Sequence, residues 1–171
     1  IDNENNIVFT QKGKDYILSG QSKYIIDINL ETNKANVLKV DFIISNVSWT
    51  QVKDLKDPSI VIKDKVFQYS GKKGIQGSAS GILINESNYD FDRIHIKTIL
   101  YDNKNNIIGL GKTELRTVLS KEKRYFETNW DEIFDTNVSK VEMEANTNIF
   151  DSDNILKIKE GGDERFLRLD E

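Results

Sequence analysis

Ile94-His95-Ile96-Lys97-Thr98-Ile99-Leu100-Tyr101-Asp102, followed by Asn103-Lys104-Asn105-Asn106, is the stretch whose reading decides the fold. Successive side chains of a strand point to opposite faces. Ile94, Ile96, Thr98 and Leu100 therefore share one face, and His95, Lys97, Ile99 and Tyr101 the other. The first set can meet a core; the second is mixed. Ile94, Ile96, Thr98 and Ile99 branch at Cβ, which suits a pleated, half-buried surface. Asp and Asn tolerate left-handed backbone and bond their own main chain, so 102–106 reads as a turn. Ile107-Ile108 restarts an apolar run, and a β-hairpin is the natural reading.

Downstream of this hairpin, 115–119, 124–130 and 138–146 read as strands, with a turn at 120–123 and a loop or helical turn over 131–137. Upstream, 78–85 alternates small and aliphatic residues, and 60–62 and 66–69 are short strands around Lys63-Asp64-Lys65. Earlier apolar runs lie at 7–9, 16–18, 24–30 and 37–45. The stretch 70–77, including Gly71-Lys72-Lys73-Gly74, reads as a flexible basic linker and module boundary. No segment sustains a helical apolar stripe. Many short strands at this spacing predict an all-β fold, an Ig-like antiparallel β-sandwich. The expected organisation is a partial or rearranged sandwich unit over 1–70, a complete unit over 71–150, and a C-terminal hairpin or flexible tail over 151–171.

At 171 residues, the chain is long enough to bury roughly 70% of its unfolded surface, so its core needs no staples. It has no Cys, which excludes disulfides, thiol nucleophiles and thiolate metal sites. A net charge of −4, with the two signs mixed, argues against a nucleic-acid partner. No apolar run is long enough to cross a membrane as a helix. The chain starts with Ile, and its sole Met is Met143. The expectation is a processed fragment whose signal or membrane anchor has been removed.

The chain also resembles itself at an offset of 100 or 101 residues. Asn5-Asn6-Ile7-Val8 matches Asn105-Asn106-Ile107-Ile108, and Leu18-Ser19 matches Leu119-Ser120. Lys23-Tyr24-Ile25 matches Arg124-Tyr125-Phe126. Asn36-Val37-Leu38-Lys39-Val40-Asp41 matches Asn137-Val138-Ser139-Lys140-Val141-Glu142. Chance similarity in an Asn/Ile/Lys-rich chain is the competing explanation. A true repeat would make 1–48 a half sandwich with unpaired edges and an open apolar face. Residues 49–70, chain outside this sequence, or a strand from another molecule could complete it.

Leu100-Tyr101-Asp102, the turn at 103–106, Ile107-Ile108-Gly109, and Leu119 leading through 120–123 to Arg124-Tyr125-Phe126 carry a family resemblance. Gly81 with Asn85 fits the same pattern. Residues of about 74–150 resemble the bacterial FxLYD domain, with a half copy at 3–48. Thr98 stands where that motif has Phe. The resemblance implies an Ig-like fold in a secreted or membrane-anchored protein, and it brings no catalytic residues.

The search for chemistry is short. His95 is the sole His, with no nucleophile elbow to serve and no second imidazole to share a transition metal. Asp151-Ser152-Asp153-Asn154 starts like a Ca²⁺ loop but puts Leu156 where the EF-hand needs Gly. Asp151 and Asp153 are therefore weak Ca²⁺ candidates set against a simple polar turn, and Asp131, Glu132 and Asp135 have the same standing. Gly109-Leu110-Gly111 reads as a bulge or close strand packing. Trp49 and Trp130 are candidate sugar-stacking platforms, set against ordinary core aromatics. Asn46, Asn85 and Asn137 head glycosylation sequons, which chance accounts for in so Asn-rich a chain.

No cofactor is expected. The expected function is a non-catalytic structural or interaction module of a bacterial surface, with an unknown protein or cell-surface partner. The alternatives are a glycan- or peptide-binding module, a self-associating subunit in which the tail donates a strand, and a hydrolase with paired carboxylates.

Overall fold

The computed structural model describes residues 1–2, 6–28, 30, 32, 37–49, 51 and 58–159. The chain divides into two compact units, Ile1–Ser22 with Asp27–Lys56, and Lys23–Ile26 with Asp57–Glu171.

The second unit is all-β. Its strands are β1 (Ile60–Tyr69), β2 (Gly77–Asn85), β3 (Tyr89–Tyr101), β4 (Ile107–Val118), β5 (Lys123–Trp130), β6 (Lys140–Asn146) and β7 (Ile155–Ile158). A single 3₁₀ turn, Ser152–Asn154, leads into β7. One sheet has the order β1-β2-β5 and the other β4-β3-β6, with β7 also paired to β3. All pairings are antiparallel.

β3 is the axis. Its Ile94, Ile96, Thr98 and Leu100 are fully buried, as the alternation predicts. They share the core with Ala79 and Leu83 of β2, Phe126 and Thr128 of β5, and Met143 of β6. The hairpin to β4 closes where expected. Asp102 Oδ1 accepts from the backbone N–H of Lys104 and of Asn106, both at 2.8 Å. Its Oδ2 accepts from Asn106 Nδ2 at 2.8 Å, and Asn105 has φ 63°.

The two sides of the sandwich are closed differently. On one, Lys65 Nζ of β1 donates to Met143 O of β6. On the other, Thr113 and Thr128 share a hydroxyl hydrogen bond of 2.6 Å, and Trp130 Nε1 donates to Leu110 O. β4 comes this close because it carries Gly109 and Gly111. A Cβ at Gly111 would stand 2.5 Å from Thr128 Cγ2 and 2.9 Å from the Trp130 ring, so the expectation of close packing at these glycines is met.

Three expectations need correcting. The two short strands at 60–69 are one strand, with a bulge between Lys63 and Val66 where Asp64 takes φ 52°. That strand pairs with β2, so 70–76 is a hairpin connection, tied by Ser70 N–H to Gln76 O, and not a linker between modules. The sandwich therefore begins at Ile60, not near 71. Residues 155–158, in the expected tail, form a strand. They pair as β7 with Tyr89–Phe91 of β3, because β6 covers that edge only from His95 to Tyr101. The rest of the expected tail hairpin, and most of 49–57, lie outside the described residues.

In the first unit, no strand forms among the described residues, although 7–9, 16–18 and 37–45 are apolar runs that read as strand-like. A strand is stable only against a neighbour that takes its backbone hydrogen bonds. Lys23–Ile26, although it matches β5 in sequence, belongs to the second unit and lies on the outer face of the β4-β3-β6 sheet.

Candidate functional site

That outer face is the most elaborated surface of the second unit. β3 contributes His95, Lys97, Ile99 and Tyr101. Register places Glu144 beside Lys97, Glu142 beside Ile99 and Lys140 beside Tyr101. On the other flank Glu114 faces His95 and Lys112 faces Lys97. Lys97 and Ile99 are buried although they point away from the sandwich core. A lysine is seldom buried unless its charge is answered. Here Lys97 Nζ donates to Tyr24 O and lies 3.7 Å from Glu144 Oε1.

The segment Lys23–Ile26 is held by both its backbone and its side chains. Tyr24 N–H donates to Glu144 Oε2 at 3.3 Å, and Tyr24 Oη donates to Glu142 Oε2 at 3.0 Å. Ile26 is buried. Glu142 also accepts from Tyr101 Oη at 2.9 Å and pairs with Lys140 at 2.5 Å. The Lys140 ammonium, then the Tyr101 and Tyr24 hydroxyls, hold the Glu142 carboxyl down to about 2. Burial and the adjacent Glu142 carboxylate push the Tyr101 phenol well above its ordinary value. The result is a face that grips extended main chain: an ammonium for a carbonyl, a carboxylate for an N–H, and a fixed anion for a tyrosine hydroxyl.

His95 lies on this face, half-exposed, with Nδ1 3.5 Å from Glu114 Oε2. Burial and the neighbouring cations Arg93, Lys112 and Lys97 lower its pKa, against the opposing pull of Glu114. Glu114 is itself paired with Arg116 at 2.8 Å. The arrangement is an ion-pair network on a strand surface.

The other candidate residues are scattered. Trp130 is half-buried in an aromatic cluster, its ring centroid 6.3 Å from Phe67 and 6.1 Å from Phe134. Its ring closes one side of the sandwich. Trp49 belongs to the first unit and is 82% exposed. Asp151 caps the 3₁₀ turn by accepting from Asp153 N–H at 3.2 Å. Its other oxygen lies 3.9 Å from Arg93 Nη2. Among the described residues, no three His, Cys, Asp or Glu side chains gather as a metal ion would require. A shallow depression of about 270 Å³ lies beside the β1–β2 connection, lined by Gln68, Ser70, Lys72, Ser78 and Glu127 among others.

Two residues carry more structure than their sequence context signals. Asn85 is fully buried. Its amide donates to Tyr89 O and Leu119 O, and its oxygen accepts from the N–H and hydroxyl of Ser87. The sequon at Asn85 is therefore closed to modification in the folded chain. Asn154, also buried, accepts from Arg93 N–H and donates to Thr147 Oγ1 and Asn148 O, locking the approach to β7. Strand-then-Asn-then-turn is a sequence signal for the first; nothing distinguishes the second from its polar neighbours.

No known protein family, curated protein or solved structure matches the chain.

Proposed function

We propose that the second unit is a non-catalytic interaction module whose four-stranded sheet holds extended polypeptide on its outer face. The observation that carries this reading is the seating of Lys23–Ile26 there, by main-chain bonds from Tyr24 to Lys97 and Glu144. Bonds to main chain tolerate many side chains, as a module serving extended segments needs. A sheet of the first, second and fifth strands over one built on the third and sixth is also the strand distribution of an Ig-like sandwich. With the Leu100-Tyr101-Asp102 turn, it supports an FxLYD-like module in a bacterial secreted or membrane-anchored protein.

The test empties the face. A full chain carrying Tyr24→Pro, which removes the N–H that Glu144 accepts, and Ile26→Gly should bind a synthetic peptide of residues 22–28, and bind it at least about tenfold more tightly than the unaltered chain, where the site is occupied in cis. An emptied chain that ignores the peptide overturns the reading. Turnover of ester, glycoside or peptide substrates by the purified chain overturns its non-catalytic part.

The exposure of Trp49 favours a second reading, glycan binding by the first unit. Quenching of Trp49 fluorescence by simple sugars, absent in Trp49→Ala, is its signature.

A further inference from the structure

Two turns of the first unit share hydrogen bonds with two turns of the second. Asp2 N–H donates to Asn6 O at 3.1 Å, as Asp102 N–H donates to Asn106 O at 3.0 Å. Asn6 N–H donates to Asp2 Oδ1 at 2.8 Å and Asn6 Nδ2 to Asp2 Oδ2 at 3.1 Å. Both bonds recur between Asn106 and Asp102, each at 2.8 Å. Further along, Gln21 N–H donates to Leu18 O at 3.1 Å with Gly20 at φ 78°. Glu122 N–H donates to Leu119 O at 3.1 Å with Lys121 at φ 65°. A rung of sheet pairing recurs as well. Leu38 N–H donates to Ile1 O at 3.0 Å, as Ser139 N–H donates to Tyr101 O at 2.8 Å. The Ile1 amino group bonds Lys39 O, where Tyr101 is paired with Lys140. Each correspondence falls at the offset of 100 or 101 already present in the sequence.

In the second unit these turns bracket β4, and the rung opens the pairing of β6 with β3. The map therefore sets 7–17 in the place of β4, 37–45 in the place of β6, and Ile1 in the place of the last residue of β3. β3 lies between β4 and β6 in its sheet. In the first unit no described strand occupies that place. Val40, Phe42 and Ile44 are 78%, 67% and 72% exposed, whereas Met143, the counterpart of Phe42, is buried. Turn bonds form locally, and strand pairing waits for the missing neighbour.

We propose that the first unit corresponds to the β4–β6 part of the second, and that it takes up a β-strand of the β3 type. The occupant is an extended segment of alternating aliphatic residues, antiparallel to 7–17 and to 37–45 and in line with Ile1. It binds by filling both ladders and covering Val40, Phe42 and Ile44. This goes beyond the interaction reading of the second unit and does not depend on it.

The test supplies the strand. A duplicate of residues 58–100 is joined ahead of Ile1 on the full chain, so that Leu100 of the duplicate leads into Ile1-Asp2. A control carries the same residues in scrambled order. Amide exchange over 37–45 should slow by about a hundredfold or more in the duplicate and stay unchanged in the control. In case the fusion fails to fold, a free peptide of residues 90–100 added to the unaltered chain should slow the same amides. No slowing by fusion or peptide overturns the proposal. Concentration-dependent dimerisation of the unaltered chain, with 37–45 protected in the dimer, overturns it in favour of a second copy as occupant.

Discussion

The turn at Asp102 and the turn at Asp2 share three hydrogen bonds, yet one joins two paired strands and the other is followed by residues that form no strand among those described. An Asp side chain that caps its own loop needs only the next few residues, so both turns form wherever that sequence occurs. A strand needs a second strand on at least one side, and burial of its apolar face needs a second layer. The second unit has both; the first has the local chemistry without the neighbour. Strand propensity in 37–45 is thus a requirement placed on a partner.

Counterpart substitutions sharpen this contrast, and the largest effect is in the core. Met143→Ala should cost about 2–5 kcal/mol of unfolding free energy in urea, as large-to-small changes at buried sites do. Phe42→Ala, at the matching position, should stay within about 0.5 kcal/mol. Equal costs would break the comparison, because they would mean that Phe42 is packed in solution.

The turns give the next pair. Asp102→Ala removes three acceptor bonds at the β3–β4 hairpin and should cost about 1–3 kcal/mol. Asp2→Ala removes the two bonds from Asn6 and should shift the same transition by no more than about 0.5 kcal/mol, since no described strand pair hangs on it. A third change runs the other way. Thr98 Oγ1 is buried without a hydrogen-bond partner. Thr98→Val should therefore stabilise the second unit by about 1 kcal/mol, and destabilisation would show that the hydroxyl has a partner in solution.

The smallest expected effect is a titration. Glu142 has a folded pKa of about 2, below its ordinary 4.5. Its contribution is complete above 4.5 and is lost as pH falls toward 2, because the unfolded chain takes up the proton first. NMR signals of the Tyr24 ring should report release of Lys23–Ile26 across that window, and Glu142→Gln should remove the titration.

Much of the second unit was legible. Alternation located β3 and β6, and Asx chemistry located the 102–106 turn, because both signals are local; β4 was read as two strands, one restarting at Ile107 and one over 115–119, and is one. Three features were not. The β1–β2 hairpin looked like a linker, since Gly and Lys serve a tight exposed turn as readily as a flexible join. The pairing of β7 was hidden because its place beside β3 depends on where β6 stops. Lys97 read only as one residue of a mixed strand face; its burial depends on a segment more than seventy positions away in the chain. Of the site residues proposed from sequence, Trp130 went into packing and Asp151 into a cap, while Glu142 and Glu144 were read only as the polar side of a strand. A single sequence shows which faces are polar but not what is laid across them.

The bulge in β1 has a colloidal consequence. An open sheet edge invites sheet growth from one molecule to the next. Between Lys63 and Val66 the β1 edge breaks register, Asp64 turns its backbone left-handed, and Lys65 reaches across to Met143 O. A chain approaching that edge meets interrupted spacing and positive charge, a poor template for stacking into fibres.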